Sequence, residues 1–322
     1  YRTGIQFGNV ETVLAITGIT IIFTLSLVAG IDRGIRRLSD FNVVMMGILL
    51  TATLVGGMAM SSISALNVLN TGALAVGTYV QNFFSMSLFT GTGVEGGAGW
   101  TSFWTVFYWS WWIAWAPFVG LFLARISKGR TIREVLFTAI VTMTTVSVIW
   151  FTVVGGTSMW LQFAGVADIL GAVGEFGDGV AGYALFGALP LGALWQPLFL
   201  ILVVTFFATS ADSSTLAVAM LTTGGKENPS SLNRVFWGIL QGLIASILVV
   251  LGGASALRSS VIVTGAPFAI VCVVSLIVFL RQLSDDHGHV LFDGDRSWFR
   301  SPKRAKSTQP VEDVAAGAQD DD

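Results

Sequence analysis

The sequence predicts an all-α polytopic membrane protein with about seven transmembrane helices, and three observations support this fold class. Of the 322 residues, 53% are hydrophobic and only 11% are charged, and the mean hydropathy is +0.75. Lys, Arg, Asp and Glu are absent from seven long stretches, and a spanning helix needs about 20 apolar residues. A transmembrane barrel would instead show short alternating strands. This composition excludes a soluble globule and a disordered chain.

The predicted spans share an apolar composition and a length of about 20 residues. They are 12–31, a stretch within 41–62, 100–124, a stretch within 135–157, about 193–223, 235–253 and 261–280. The remaining tail, 281–322, holds nine acidic and six basic residues, so we expect it to be cytoplasmic and disordered.

The region between the second and third spans is less apolar. Residues 63–90 carry Asn and Gln among apolar side chains, which indicates an interfacial amphipathic helix. Residues 91–99 are rich in glycine and contain G-T-G-V-E-G, which matches the dinucleotide pattern GxGxxG. That pattern needs a strand before it and a βαβ unit around it, whereas here a Trp-rich helix follows. We therefore interpret 63–99 as an amphipathic helix and an external loop.

The distribution of basic residues predicts the orientation of the spans. Fifteen of the 17 Lys and Arg residues lie after the first, third and fifth spans and in the tail. Only Arg2 and Arg258 lie on the other side of the predicted topology. Because cytoplasmic loops carry the excess of basic residues, the C-terminus is expected in the cytoplasm. The chain starts with Tyr1, and an N-terminus that must cross without a signal peptide suggests a missing upstream part.

Tryptophan is concentrated in the third span. Six of the eleven Trp residues lie between Trp100 and Trp115. An interfacial aromatic belt explains the first two, Trp100 and Trp104, but not four that lie deeper along the helix. A buried indole N–H also requires a hydrogen-bond partner. A helix in the core of a soluble protein would need six such partners, which its apolar surroundings rarely provide. This concentration therefore indicates a helix that faces a binding cavity.

The spacing of these rings predicts what such a cavity binds. Tyr108 and Trp112 are four residues apart, as are Trp111 and Trp115, so each pair shares a helix face. A cluster of π-faces without an anionic side chain suits a quaternary ammonium ion, which has no N–H to donate to a carboxylate. The alternative is helix–helix packing, which certainly uses some of these rings.

Hydroxyl groups mark a second candidate site in the fifth span. Thr209 and Ser210 are adjacent in a run that, apart from Thr205, is otherwise apolar from Leu198. Hydroxyls and backbone carbonyls freed at a helix irregularity are the ligands that a hard monovalent cation needs. Asp212 follows within the span, and an intramembrane carboxyl group is by default functional. The alternative is that Thr and Ser donate hydrogen bonds to the preceding helical turn.

An enzyme is not expected. A membrane enzyme would need a nucleophile–base pair or metal ligands within the membrane. The only histidines, His287 and His289, lie in the polar tail, where metal binding is a weak interpretation. The single cysteine, Cys272, cannot form an internal disulfide and is expected to be a buried hydrophobic residue.

Four motifs resemble one family of membrane proteins. The segment W-T-S-F-W-T-V-F-Y-W-S-W-W-I-A-W-A-P-F-V-G-L-F-L-A-R-I-S-K-G-R-T-I-R-E at 100–134 is similar to the signature of the betaine/carnitine/choline transporter family (BCCT). The sequences at 29–39, 81–84 and 206–213 support this resemblance, which covers roughly 1–282. It implies a twelve-helix secondary transporter with two inverted repeats of five helices. This chain would be its C-terminal part and lack the first spans.

The resemblance also implies a division of the chain. Residues 1–62 would be the last two spans of the first repeat, and 100–280 the whole second repeat. Residues 63–99 would lie at a homotrimer contact, and 281–322 would be the cytoplasmic tail. The lipid bilayer of the plasma membrane is the expected location, and no nucleic-acid partner is expected.

By position, the resemblance implies the substrate site. Trp112 would face a trimethylammonium group, with Phe107 and Trp111 beside it. Trp109 and Trp115 would line the cytoplasmic path, and an outer site would include Trp104 and Tyr108.

The implied coupling ion is sodium, and no other cofactor is expected. The Phe206 carbonyl, Thr209 and Ser210 would hold one sodium ion, and Phe118 would lie near a second. Sodium-independent members place an Arg in the core, and the long uncharged stretches here favour sodium coupling. A sodium-independent exchanger of choline or carnitine and a transport-inactive osmosensor remain alternatives. The acidic tail differs from the basic helix of osmosensing members, which puts osmotic regulation in doubt.

Overall fold

The computed structural model describes residues 8–29, 36–60 and 64–292, and within these ranges the regular structure is helical. Nine helices are labelled here in chain order. They are α1 (Asn9–Ala29), α2 (Arg36–Met60), α3 (Ala65–Ser87), α4 (Gly97–Ile126), α5 (Ile132–Phe163), α6 (Ile169–Phe176), α7 (Ala181–Ala188), α8 (Gly192–Thr222) and α9 (Ser231–Phe292).

Six segments of the described chain are long and apolar enough to cross a membrane. These are α2, α4, α5, α8 and the two parts of α9, Ser231–Gly253 and Ser255–Asp285. In α1, Val10–Ser26 forms a shorter apolar helix. The predicted fold class, an all-α polytopic membrane protein, is therefore confirmed. In the part of the chain that the structure describes, each predicted span lies on one of these helices; residues 30–31 of the first and 61–62 of the second lie outside the described residues.

The two parts of α9 meet at a glycine. Gly253 has a φ of +61°, in the left-handed region that only glycine adopts without strain. The break separates the predicted sixth and seventh spans. The second part of α9 continues to Phe292, past the expected start of the polar tail at 281. Residues 271–292 belong to a separate compact unit, and the rest of the tail lies outside the described residues.

Two of the spanning helices contain π-helical segments that the sequence analysis did not predict. In α4 the segment is Ser102–Phe107, and in α5 the segments are Thr138–Thr142 and Phe151–Gly155. A π segment adds a residue to one turn and changes the faces of the side chains that follow. Such segments are frequent at functional sites. The segment in α4 directly precedes the Trp-rich turns.

Of the glycine-rich loop predicted at 91–99, residues 91–96 are outside the helices, and 97–99 form the first turn of α4. Gly91, Gly93 and Gly96 have φ values of +73°, +75° and +74°, and α4 begins directly afterwards at Gly97. The segment before this loop is α3, a helix, so the strand that a dinucleotide site requires does not precede it.

Helix α8 lies at the centre of the described fold. It contacts α1, α2, α4 and α7, and its second half carries a row of buried residues that includes Ala208, Asp212, Leu216 and Ala219. In contrast, α4 carries no buried side chain from Tyr108 to Ile126. The aromatic helix thus packs against α8 on one side and leaves its rings accessible.

Small residues bring α9 close to its neighbours. A Cβ atom built on Gly265 would lie 2.9 Å from both the backbone oxygen and the Cβ of Ser110 in α4. A Cβ atom on Gly238 would lie 3.0 Å from the hydroxyl of Thr24 in α1. Close approach through glycine is a common way for membrane helices to associate. Gly265 therefore sets the distance between α9 and the aromatic helix.

Two loops that were predicted on the same side of the membrane lie together. Lys128 Nζ, after α4, is 3.2 Å from Glu227 Oε1, after α8, and Arg125 donates a hydrogen bond of 2.6 Å to Asn228 Oδ1. The ion pair is largely exposed and is worth little energy. The ion pair shows that the two loops lie at the same end of the helices.

Candidate functional site

The rings of α4 form a continuous row along the helix. Trp104 and Tyr108 have ring centroids 5.5 Å apart, and Phe107 stacks on Trp111 at 6.0 Å with an interplanar angle of 17°. The row continues with Tyr108 to Trp112 at 6.3 Å and Trp112 to Trp115 at 6.2 Å, both edge to face. The predicted pair Tyr108 and Trp112 is therefore in contact, whereas Trp115 contacts Trp112 and not Trp111 among the described ring contacts.

Trp112 lies in the middle of this row. Its ring neighbours are Tyr108, Trp111 and Trp115, and its side chain is 48% exposed. Trp109 is 64% exposed and points away from the row, since it takes part in none of the ring contacts among the described residues. The structure thus brings together six of the seven predicted substrate-binding residues and leaves Trp109 apart.

A cation already lies at one end of the row. The guanidinium carbon of Arg258, in α9, is 5.1 Å from the Phe103 ring centroid and 5.7 Å from that of Phe107. The sequence analysis identified Arg258 only as a basic residue on the minority side of the topology, and its argument for sodium coupling assumed that no Arg lies in the core. The contact of Arg258 with Phe107 removes that argument, so sodium coupling stays a prediction. The position of Arg258 between two uncharged stretches, 235–257 and 259–280, was the available signal.

Two of the predicted sodium ligands of α8, the Thr209 and Ser210 hydroxyls, lie within hydrogen-bond distance of the third, the Phe206 carbonyl oxygen. Thr209 Oγ1 donates to the Phe206 carbonyl oxygen at 2.8 Å, and Ser210 Oγ donates to the same oxygen at 3.1 Å. Three oxygens thus converge on one side of the helix, which is what a cation site needs. The same contacts are the hydrogen bonds to the preceding turn that the alternative interpretation expects. The geometry is compatible with both.

Phe118 occupies a different environment from these oxygens. Its ring packs edge to face against Phe268 of α9, with centroids 5.7 Å apart. One turn further along α4, Leu121 and Phe122 pack against Leu216 and Met220 of α8. The helix of the aromatic row and the helix of the hydroxyl pair are therefore in direct contact.

Asp212 lies one turn after Thr209 and is completely buried. Ser26 Oγ, in α1, donates a hydrogen bond of 2.5 Å to Asp212 Oδ2, although the two residues are 186 positions apart. Asp212 Oδ1 is one of the buried polar atoms without a hydrogen-bond partner in the described part of the chain. A charged carboxylate is costly in the membrane, so such a residue is retained for a function or a specific pairing. Here it joins α8 to α1.

A second polar contact extends this junction. Thr215 Oγ1, one turn after Asp212, is 3.0 Å from Gln241 Oε1 in α9. Both Thr215 and Asp212 are fully buried, so α1, α8 and α9 meet through polar side chains within an apolar surrounding. Interhelical hydrogen bonds of this kind contribute about 0.6–2 kcal/mol each in membrane proteins.

Comparison with known proteins gives consistent results along the whole helical region. A family model described as betaine/carnitine/choline family transporter matches residues 1–288. The glycine betaine transporter OpuD of Bacillus subtilis is 34% identical over 310 residues, which are 95% of this chain and 58% of OpuD. A probable glycine betaine transporter of Desulfitobacterium hafniense is 36% identical over 291 residues, covering 89% of this chain and 56% of the relative.

A relative with a broader name is similar to the same degree. A glycine betaine/proline/choline transporter of Vibrio parahaemolyticus is 34% identical over 285 residues, covering 88% of this chain and 49% of the relative. The chain therefore spans about half the length of the curated relatives that it matches.

Proposed function

This chain belongs to the betaine/carnitine/choline transporter family, and we propose that the transporter containing it imports glycine betaine together with sodium ions. The family and the names of the relatives indicate a transporter rather than an enzyme. The observation that carries the choice of substrate is the row of rings from Trp104 to Trp115, which offers π-faces without a carboxylate beside them.

The ring row suits a trimethylammonium group for a physical reason. Such a group is cationic but has no N–H, so it loses water without gaining a hydrogen bond in return. A ring face attracts it by about 2 kcal/mol when both are desolvated. Trp112, with three aromatic neighbours, is the position where several faces act on one cation. The relatives named as glycine betaine transporters support this substrate class.

The direct test is uptake of radiolabelled glycine betaine into proteoliposomes that contain the purified transporter. We expect accumulation when a sodium gradient is imposed and none when potassium replaces sodium. Exchange without a gradient would favour a sodium-independent exchanger. Binding of betaine without accumulation would identify an osmosensor, and no response to betaine would refute the proposal.

The coupling site of this proposal is the group of oxygens on α8. We infer that Phe206, Thr209 and Ser210 hold one sodium ion, since their oxygens already converge. The hydroxyl protons then turn away from the Phe206 carbonyl oxygen, and all three oxygens face the ion. Phe118, on the neighbouring helix, is proposed to lie near a second sodium ion with ligands from other spans.

Replacing Ser210 by alanine tests this coupling site. The substitution removes one of the three oxygens, and one polar contact contributes about 1 kcal/mol. We therefore expect the sodium concentration for half-maximal uptake to rise several-fold. Initial uptake rates at saturating betaine and varied sodium measure this value. Ser213→Ala is the matched control, because Ser213 donates to the Thr209 carbonyl oxygen one turn away from the proposed ligand set. A sodium curve that does not shift in Ser210→Ala contradicts the ion site.

The family resemblance supports an arrangement for the whole transporter. We propose twelve spans in two inverted repeats, with the repeat boundary in this chain between 62 and 100. The C-terminus is proposed to be cytoplasmic in the plasma membrane, which agrees with the contact between the basic loops after α4 and α8. Alternating access then follows from motion of one helix bundle against the other about a midplane site.

Helix α3 is the proposed contact in a homotrimer. Leu66, Val80 and Phe84 are each more than 60% exposed, and Tyr79, Phe83 and Phe84 form a chain of edge-to-face rings. An amphipathic helix with this exposed apolar surface needs lipid or another subunit to cover it.

A further inference from the structure

Arg258 is a charged residue beside the ring row that the proposed transport mechanism does not yet use. It lies in α9 between uncharged stretches of 23 residues on one side and 22 on the other, at 235–257 and 259–280. Its guanidinium is nevertheless placed over two rings, with the carbon 5.1 Å from the Phe103 centroid and 5.7 Å from the Phe107 centroid. Arg258 lies near the start of the span Ser255–Asp285, on the side predicted to be external, where basic residues are less common than on the cytoplasmic side.

The Arg258 side chain has N–H donors that its contacts with the two rings do not use. The single ion pair within 8–29, 36–60 and 64–292 joins Lys128 to Glu227, so Arg258 has no carboxylate partner there. Ring faces contact the plane of a guanidinium and do not use its five N–H groups, which are arranged as a fork for two oxygens. Arg258 is also exposed, so a small solute can reach it. The guanidinium is thus held in place with its anion-binding edge unused.

Arg258 makes the part of the ring row beside it electrostatically different from the rest of the row. Phe107, beneath the guanidinium, stacks on Trp111 at 6.0 Å, and Trp111 is 6.3 Å from Trp112. The charge of Arg258 repels a second cation from Phe103 and Phe107. A substrate ammonium group is therefore favoured further along the row, near Trp111 and Trp112. An anionic group of the same solute is favoured beside Arg258.

We propose that Arg258 binds the carboxylate of a zwitterionic substrate whose quaternary ammonium group lies against Trp111 and Trp112. This inference rests on the proposed transport of a quaternary ammonium solute and adds the chemical class that is selected. A betaine gains a charge-assisted bidentate contact with the fork. Choline has the same ammonium group, which the rings also attract, but no carboxylate, so its only interaction with Arg258 is repulsion. Arg258 thereby discriminates by attraction for one substrate and by repulsion of the other.

The test compares uptake of radiolabelled glycine betaine with uptake of radiolabelled choline in Arg258→Gln. We expect the preference for betaine over choline to fall by about 10- to 100-fold, as for loss of a hydrogen-bonded charge. Arg258→Lys retains the charge and loses the fork, so we expect an intermediate preference. Tetramethylammonium, a cation without a carboxylate, should inhibit Arg258→Gln at least as well as the wild type.

Arg133→Gln is the control for net charge, since Arg133 is an exposed basic residue at the start of α5. It should leave the preference unchanged. If the wild type imports betaine and Arg258→Gln keeps its preference, or loses betaine and choline uptake equally, Arg258 is not the carboxylate site and the proposed function still stands. If the wild type imports neither solute, the proposed function itself fails.

Discussion

Replacing Trp112 by alanine is expected to reduce glycine betaine uptake to the background of empty proteoliposomes. The substitution removes the central ring of the row, which has Tyr108, Trp111 and Trp115 as neighbours. One desolvated ring face contributes about 2 kcal/mol to binding of a quaternary ammonium ion, or about 30-fold in affinity. Loss of the neighbours' support adds to this effect. Initial uptake rates, normalised to the amount of inserted transporter, measure it.

Two variants make the Trp112 result interpretable. Trp112→Phe retains a ring face and should retain measurable uptake, because a smaller ring still attracts the cation. Trp109→Ala removes an indole that is 64% exposed and lies outside the row, so a smaller loss is expected. Insertion of all three variants into the membrane should equal that of the wild type. Unchanged betaine uptake in Trp112→Ala excludes the ring row as the ammonium site.

Replacing Gly265 by leucine is the second change for which we expect a large effect. A single Cβ atom at this position already lies 2.9–3.0 Å from the backbone oxygen, Cβ and Cα of Ser110, and these atoms cannot rotate away. The larger side chain must push α9 from α4, at a cost of about 1–3 kcal/mol or more. The temperature at which half of the solubilised protein aggregates should fall, and uptake should be lost.

Gly120→Leu is the matched control on the aromatic helix. No atom lies within 4 Å of a Cβ built on Gly120, so the added side chain extends into open space. Both substitutions replace a helical glycine with the same side chain and differ only in what that side chain meets. If Gly265→Leu is as stable as Gly120→Leu, the close contact with Ser110 does not determine the position of the aromatic helix.

The spans were predictable because the membrane imposes a simple rule on the sequence. A charge within a span is costly, so the uncharged stretches identify the helices almost by themselves. Helix α4 also shows its ring pairs in the sequence, since residues four apart share a face in any helix. The ring centroids of Tyr108 and Trp112 lie 6.3 Å apart, as that spacing predicts. Local periodicity accounts for this part of the candidate site.

Contacts between distant parts of the chain were not predictable in the same way. Nothing in the local pattern around Ser26 indicates that it hydrogen-bonds Asp212, 186 residues later. The position of Arg258 over Phe103 depends on the packing of α9 on α4 through Gly265, which a single sequence does not encode as a periodicity. The π segment at Ser102–Phe107 likewise has no compositional signature.

The hydroxyl pair illustrates a different limit. Thr209 and Ser210 were predicted either to bind sodium or to donate to the preceding turn. Both readings require the same three oxygens to lie together, and the structure places them together at 2.8 and 3.1 Å from the Phe206 carbonyl oxygen. Only a change in sodium dependence separates the two interpretations.

The high number of indoles in α4 affects the intrinsic tryptophan fluorescence of this chain. More than half of its tryptophans, six of eleven, lie between Trp100 and Trp115, and several are in ring contact. This one helix therefore holds more than half of the indole fluorophores of this chain, and excitation passes between the neighbouring indoles before emission. A solute that binds to one ring changes the polarity around that indole, and transfer of excitation between indoles in contact carries this change into the emission of its neighbours. Titrating the unlabelled protein with betaine should consequently give a spectral readout of occupancy without a radioactive substrate.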